Sequence, residues 1–99
     1  MKFKFYNKNL GLMFRTLKNN EIAVLKNYNS EYLHTFFVFY PIDIVFLDGK
    51  FKVVKIRKGV KPFTSKIIGE KKAKYVLEFR AGNTKNIKMG RTIKFKYKL

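Results

Sequence analysis

The chain has 99 residues, no cysteine and one histidine, and its 23 lysine and arginine residues against six aspartate and glutamate residues give a formal net charge of +17. Apolar residues make up 46% of the chain, which is too much for a disordered tail and favours one compact domain over residues 1–99. Without cysteine, a disulfide framework, a thiolate metal site and a redox pair are excluded, and we expect no metal and no cofactor.

Alternation of apolar and charged residues dominates the chain and predicts short β-strands. Residues 2–5 read Lys-Phe-Lys-Phe, which places both phenylalanines on one face of a half-buried strand. A helical turn is expected between residues 10 and 17. Residues 22–25 fit a strand or a helix, and we favour a strand. Residues 34–39 predict a strand that is stopped by Pro41, because proline cannot donate a hydrogen bond to a neighbouring strand.

A β-hairpin is the strongest local prediction. Asp48-Gly49 separates residues 44–47 from residues 51–56, and this dipeptide is typical of two-residue turns in which glycine supplies a positive φ. The adjacent Val53 and Val54 interrupt the alternation of the second arm. This interruption predicts a β-bulge.

The last third of the chain predicts a long loop and two more strands. The loop covers residues 59–74, and a strand over residues 75–80 ends at Ala81-Gly82. Asn83 is expected to cap a short helical turn through Ile87 that Gly90 closes, and residues 93–97 form the final strand. About seven short strands and one or two helical turns predict an all-β protein. We expect one small closed or partly open β-barrel, with a sandwich as the alternative.

Several segments, in this order along the chain, resemble a known family. They are residues 11–15 (GLMFR), 34–39 (HTFFVF), 41–48 (PIDIVFLD), 75–78 (YVLE) with 81–82 (AG), and 87–90 (IKMG). The resemblance is to the domain of unknown function 192, a group of small bacterial and archaeal proteins, and it covers about residues 10–95. It implies a compact β-barrel-like fold and no established activity. The family commonly has an aromatic-Met-Lys-Asn-Thr stretch before its Pro-Leu-Asp; Val38-Phe39-Tyr40 stands there instead, so no site built on that Lys-Asn pair is expected.

Four polar residues in or beside apolar segments form a candidate ligand site: Arg15, His34, Asp43 and Glu78. Two carboxylates, an arginine and a histidine can supply an acid, a base and an anion clamp. We favour the alternative that Arg15 pairs with Asp43 or Glu78 as a buried brace, because charged structural networks are common. His34 is expected to be a satisfied structural histidine. No serine elbow, phosphate loop or dinucleotide fingerprint is present, so no catalytic residue is assigned.

A run of cations forms a candidate nucleic-acid interface, and no carboxylate interrupts it between residues 50 and 69. Its members are Lys50, Lys52, Lys55, Arg57, Lys58, Lys61 and Lys66. A large positive charge attracts polyanions, of which nucleic acid is the commonest. Successive strand residues point to opposite faces, however, so these side chains cannot all form one patch. A solvated lysine face is the alternative.

Aromatic residues before the hairpin offer a stacking surface for bases: Phe36, Phe37, Phe39 and Tyr40. We favour the alternative that they belong to the core, because the chain has no comparable apolar reserve elsewhere.

The sequence therefore favours a non-enzymatic binding or accessory module that associates with nucleic acid or another polyanion. A ligand-binding protein or enzyme with a buried Arg/carboxylate cluster, and a component of a larger assembly, are the alternatives. No membrane span is expected, because the longest apolar run, residues 36–42, is far short of the ~20 residues that a membrane helix needs. The first six residues alternate lysine with aromatic residues, unlike a secretory signal, so we expect a cytosolic protein.

Overall fold

Five β-strands make up the regular structure of the part of the chain that the structure describes. The computed structural model describes residues 2–6, 17–26, 28, 38–64, 67 and 69–94. The strands are β1 (Lys2–Tyr6), β2 (Glu21–Leu25), β3 (Ile42–Leu47), β4 (Val53–Val60) and β5 (Tyr75–Arg80). Because all of the described elements are strands or turns, the all-β prediction is confirmed.

The strands form one sheet in the order β1-β2-β5-β3-β4. β1 and β2 are parallel, and the other neighbours are antiparallel. Within the described residues the sheet is not closed, since β1 and β4 are its edges. The expected helical turn at residues 10–17 lies outside the described part except for residue 17. The expected strands at residues 34–39 and 93–97 also lie mostly outside it, and their described residues 38, 39, 93 and 94 are not in strands. No helix in the described part is long and apolar enough to cross a membrane.

The three inner strands β2, β5 and β3 are buried on both faces of the sheet. We call one face the Phe46 face, defined by Ala23, Ile44, Phe46 and Val76. The other is the Phe79 face, defined by Val24, Val45, Leu77 and Phe79. Each face carries its own apolar cluster, so successive residues of a strand contribute to different clusters.

The predicted hairpin joins β3 to β4, but its turn differs from the prediction. Gly49 does not have a positive φ; Phe51 does, at 66°. The Asp48 side chain accepts hydrogen bonds from the backbone N–H groups of Lys50 (2.8 Å) and Lys52 (2.9 Å). The bond from the Lys52 N–H is the main cause that lowers the pKa of Asp48. A two-residue turn with left-handed Gly49 is therefore wrong, because the aspartate stabilises a longer loop that turns left-handed only at Phe51.

β4 contains two bulges. Phe46 pairs with Lys55 and Leu47 with Val53, so Val54 is the extra residue, which confirms the predicted bulge. Ile42 pairs with Val60 and Ile44 with Arg57, which leaves an extra residue at Lys58–Gly59. Gly59 has a φ of 62°, the left-handed conformation that such bulges favour for glycine. Sequence reasoning did not predict this second bulge.

Consecutive turns follow β5 over residues 81–86. The Asn83 N–H donates to the Arg80 carbonyl (3.1 Å), and the Ile87 N–H donates to the Thr84 carbonyl (3.0 Å). The Asn83 side chain donates instead to the carbonyl of Asn19 (2.7 Å), so it ties this turn to the segment before β2. The expected helical turn is thus a pair of hydrogen-bonded turns.

Candidate nucleic-acid interface

One end of the sheet gathers the start of β3 and the ends of β4 and β5. The register shows this directly, because Ile42 at the start of β3 pairs with both Val60 and Arg80. β2 also begins there, since Ile22 pairs with Phe79. We call this the Phe63 end, after the residue that follows β4, and the opposite end, with residues 48–52, the hairpin end.

Among the described residues, two aromatic rings are exposed at the Phe63 end. The exposed fraction is 66% for Phe39 and 48% for Phe63. Their ring centroids are 5.4 Å apart with the planes at 71°, an edge-to-face contact. Large aromatic residues are usually buried in a domain this small, so an exposed pair is a feature to be explained.

The backbone holds Phe63 in an unusual conformation. Its φ is 57°, in the left-handed region that costs a non-glycine residue about 1 kcal/mol or more. The turn is closed by the Thr64 hydroxyl, which donates to the Lys61 carbonyl at 2.7 Å. The chain therefore places a bulky ring outward at a conformational cost.

Tyr40, by contrast, belongs to the core, as the favoured alternative predicts. It is 8% exposed, and its hydroxyl oxygen accepts a hydrogen bond from the Leu17 N–H at 2.8 Å. The Arg80 guanidinium lies 3.8 Å from the centre of its ring, and Arg80 Nε donates to the Leu17 carbonyl at 2.7 Å. For Phe39 the core alternative is wrong, because the ring next to this buried tyrosine points outward. Phe36 and Phe37 lie outside the described residues.

The predicted run of cations does not form one patch, because its members lie at both ends of the sheet. Lys58 and Lys61 are exposed at the Phe63 end, whereas Lys50 and Lys52 are exposed at the hairpin end. Lys55 is half-buried, and its Nζ donates to the Gly69 carbonyl at 3.3 Å. Arg57 is exposed beside Ile44, on the side of the Phe46 face, and Lys66 lies outside the described residues.

Two lysines that sequence reasoning missed also lie at the Phe63 end. Lys18 precedes β2 and Lys85 follows β5, and both are exposed. Neither lies in a run of cations in the sequence. The order of the strands places both at the same end of the sheet as Lys58 and Lys61. The signal that could have found them is their position just outside a strand terminus.

Burial removes acidic side chains from the surface. Of the five carboxylates in the described residues, Glu21, Asp43 and Glu78 are 3%, 2% and 4% exposed. Glu21 accepts a hydrogen bond from the Lys18 N–H at 2.9 Å. Asp48 and Glu70 are only half-buried and lie away from the Phe63 end. The described carboxylates at this end are therefore buried, while its lysines face solvent.

Asp43 holds together the bulge of β4 and the turn after β5. Its Oδ1 accepts a hydrogen bond from the Gly59 N–H at 2.8 Å. Its Oδ2 accepts from the Gly82 N–H at 3.0 Å and from the Thr84 hydroxyl at 2.7 Å. Neutral donors thus hold this buried carboxylate; the predicted partner Arg15 lies outside the described residues, as does His34.

Glu78 occupies a different environment. It is opposite Ala23 and Ile44, and therefore lies on the Phe46 face, whereas Asp43 is opposite Phe79 on the other face. Within the described structure Glu78 Oε1 is buried and accepts no hydrogen bond. Burial raises the pKa of Glu78 to about 7. The structure thus does not bring the two carboxylates of the candidate ligand site together.

Comparison with known proteins identifies relatives of this chain. The model of the family DUF192, described as "Uncharacterized ACR", matches residues 3–95. A crystal structure of a protein of unknown function from Novosphingobium aromaticivorans DSM 12444 superposes with a TM-score of 0.83 and 21% identity, over 94% of this chain and 74% of that chain. A crystal structure of a Sinorhizobium meliloti 1021 protein, called a "putative transcription regulator", superposes with a TM-score of 0.76 and 18% identity. That match covers 89% of this chain and 74% of that chain. At these identities the likeness shows the fold alone. No curated protein matches the chain.

Proposed function

This chain belongs to the family DUF192, and we propose that it is a small cytosolic binding module for single-stranded nucleic acid with little sequence preference. The observation that carries the proposal is the exposed pair Phe39–Phe63, at the end of the sheet where Lys18, Lys58, Lys61 and Lys85 are also exposed. Aromatic rings beside cations are what proteins use to bind single strands.

The aromatic pair suits unpaired bases. Every base has a flat face, so stacking on a protein ring tolerates any sequence and contributes about 1–3 kcal/mol per base. In a duplex, those faces are already stacked on neighbouring bases. The outward positions of Phe39 and Phe63 therefore favour a single strand over a duplex.

The charge at the Phe63 end suits the sugar–phosphate backbone. Lysines that neutralise phosphates release condensed counterions, which drives binding at low salt. Glu21 is buried at the same end, so its carboxylate does not face a polyanion at the surface. Lysine also fits a site without sequence specificity, because its ammonium group is a point charge without the fixed fork of arginine.

Catalysis is the weaker candidate. A site that uses two carboxylates as acid and base needs both within reach of one substrate. Asp43 and Glu78 point to opposite faces of the sheet, and Asp43 already accepts three hydrogen bonds. The third alternative, a component of a larger assembly, would use the same exposed rings as a protein contact.

A titration across a salt series tests the proposal. The full chain should bind a labelled single-stranded oligonucleotide at micromolar concentrations in low salt. The logarithm of the affinity should then fall linearly with the logarithm of the salt concentration, with a slope of about −0.7 for each phosphate neutralised. If no binding is detected at low salt, the proposal is wrong. Equal affinity for heparin and for every nucleic acid would contradict the stacking part of it.

A further inference from the structure

A cavity of about 220 Å³ opens at the Phe63 end between the second bulge of β4 and the turn after β5. Asp43 and Thr84, which are 2% and 1% exposed, are among the residues that line it. Lys58 and Lys85, both exposed, line it as well. A ligand of this cavity would need a hydrogen-bond donor for the Asp43 carboxylate and a negative charge for Lys58 and Lys85.

Two glycines with left-handed backbone line the cavity. Gly59 and Gly82 have φ values of 62° and 92°, and a Cβ added to either would meet no heavy atom within 4 Å. The N–H groups of both glycines donate hydrogen bonds to Asp43, and glycine adopts the left-handed backbone there without a steric penalty. The backbone segments that donate hydrogen bonds to Asp43 are therefore also part of the cavity lining.

Asp43 retains the capacity to accept a further hydrogen bond. Its Oδ2 accepts two, from Gly82 and Thr84, whereas Oδ1 accepts one, from Gly59. A carboxylate has about four lone-pair sites, so Oδ1 has one left for a donor. A hydroxyl group is such a donor, and a phosphate next to it would interact with the two lysines.

We propose that this cavity receives a 2′-hydroxyl of RNA, which donates a hydrogen bond to Asp43 while the adjacent phosphate lies between Lys58 and Lys85. The inference rests on the proposed function and names its substrate class, RNA rather than DNA. The 2′-hydroxyl is the group by which a protein distinguishes the two. The exposed rings of Phe39 and Phe63 lie at the same end of the sheet, where they would stack on bases of the same strand.

The test alters the ligand and leaves the protein intact, because replacement of Asp43 would also disturb the bulge and the turn. Oligo-uridine, oligo-deoxyuridine and 2′-O-methyl oligo-uridine of equal length are titrated by fluorescence anisotropy. We expect oligo-uridine to bind at least about tenfold more tightly than the other two, the lower limit for one hydrogen bond to a charged group. The methylated strand keeps the 2′ oxygen but has no proton to donate.

The outcomes separate the inference from the function on which it rests. Equal affinity for oligo-uridine and oligo-deoxyuridine, or for oligo-uridine and its methylated form, overturns the inference and leaves single-strand binding in place. Failure of all three strands to bind at low salt overturns both.

A pair of double variants locates the effect. Lys58→Gln with Lys85→Gln should reduce the RNA-to-DNA affinity ratio to near one, because the phosphate is no longer held beside Asp43. Lys50→Gln with Lys52→Gln removes the same charge at the hairpin end and should weaken both strands without changing the ratio. If both double variants lower the ratio equally, the preference does not arise at this cavity and the inference is wrong.

Discussion

Asp43 and Glu78 lie one register step apart on the neighbouring strands β3 and β5, yet their side chains point to opposite faces of the sheet. Asp43 meets three hydrogen-bond donors, whereas Glu78 Oε1 meets none within the described structure. Two buried carboxylates that are close in the sheet therefore have different consequences. Asp43 organises the Phe63 end, and the raised pKa of Glu78 predicts that the stability of the fold depends on pH.

Glu78 should lower the stability of the protein as the pH rises. Its pKa is raised from 4.5 to about 7 by burial, so the folded chain holds a proton that the unfolded chain releases between these values. The free energy of unfolding should fall by about 3 kcal/mol from this source as the pH rises through that window, and then level off. Urea unfolding at about pH 5 and about pH 8 measures the change.

The matched variant is Glu78→Gln, which keeps the shape but does not titrate. It should remove most of the fall in stability, while Glu70→Gln on the surface should leave the fall as it is. A wild-type protein with equal stability at both pH values would contradict this account of Glu78.

Thr84 should stabilise the fold through Asp43. Its hydroxyl is buried and donates to Asp43 Oδ2 at 2.7 Å, a hydrogen bond to a charged group. We expect Thr84→Val to lower the free energy of unfolding by about 1.5–3 kcal/mol, because the carboxylate loses a donor without exposure to water. Thr84→Ser keeps the hydroxyl and should cost clearly less. Urea unfolding compares the two, and a Thr84→Val protein as stable as the wild type would mean that this hydrogen bond does not stabilise the fold.

The glycines should differ in their tolerance of alanine. Gly82 has a φ of 92°, so Gly82→Ala should cost about 1 kcal/mol or more in unfolding free energy. Gly49 has no left-handed φ, and a Cβ there would lie 3.7 Å from Lys74 Cγ, an ordinary contact. Gly49→Ala should therefore be nearly neutral. Denaturant midpoints decide it, and a Gly49→Ala protein as unstable as the Gly82→Ala protein would contradict the turn described above.

Local sequence patterns predicted the positions of the five described strands better than the geometry of the turns between them. The strand pattern at residues 75–80 predicted β5, and the two adjacent valines at residues 53–54 predicted the first bulge. Both features depend on residues that are neighbours in the sequence. The position of the hairpin turn was predicted correctly, but its geometry was not. The Asp48 side chain accepts backbone hydrogen bonds that stabilise a longer loop than the two-residue turn expected for Asp-Gly. The bulge at Gly59 depends on Asp43, a residue of another strand, and no local pattern contains it.

The candidate site was predicted in part for the same reason. Lys58 and Lys61 belong to a visible run of cations, but Lys18 and Lys85 join them only through the strand order β2-β5-β3-β4. Phe39 and Tyr40 are adjacent and equally aromatic, yet one is 66% exposed and the other 8%. What separates them is the contact of Tyr40 with Leu17 and Arg80, residues distant in the sequence.

The central claim, stacking of unpaired bases on the Phe39–Phe63 pair, is tested most directly by a comparison of two alanine variants. Phe39→Ala should weaken binding of a single strand by at least about fivefold, the lower limit for the loss of one stacked base, and should leave duplex binding unchanged. Met89→Ala removes another exposed apolar side chain, 59% exposed, and should change neither affinity. Parallel titrations of single-stranded and duplex oligonucleotides at one low salt concentration give all the values. If Phe39→Ala binds the single strand as tightly as the unchanged protein does, the aromatic pair is not the binding surface and the account is wrong.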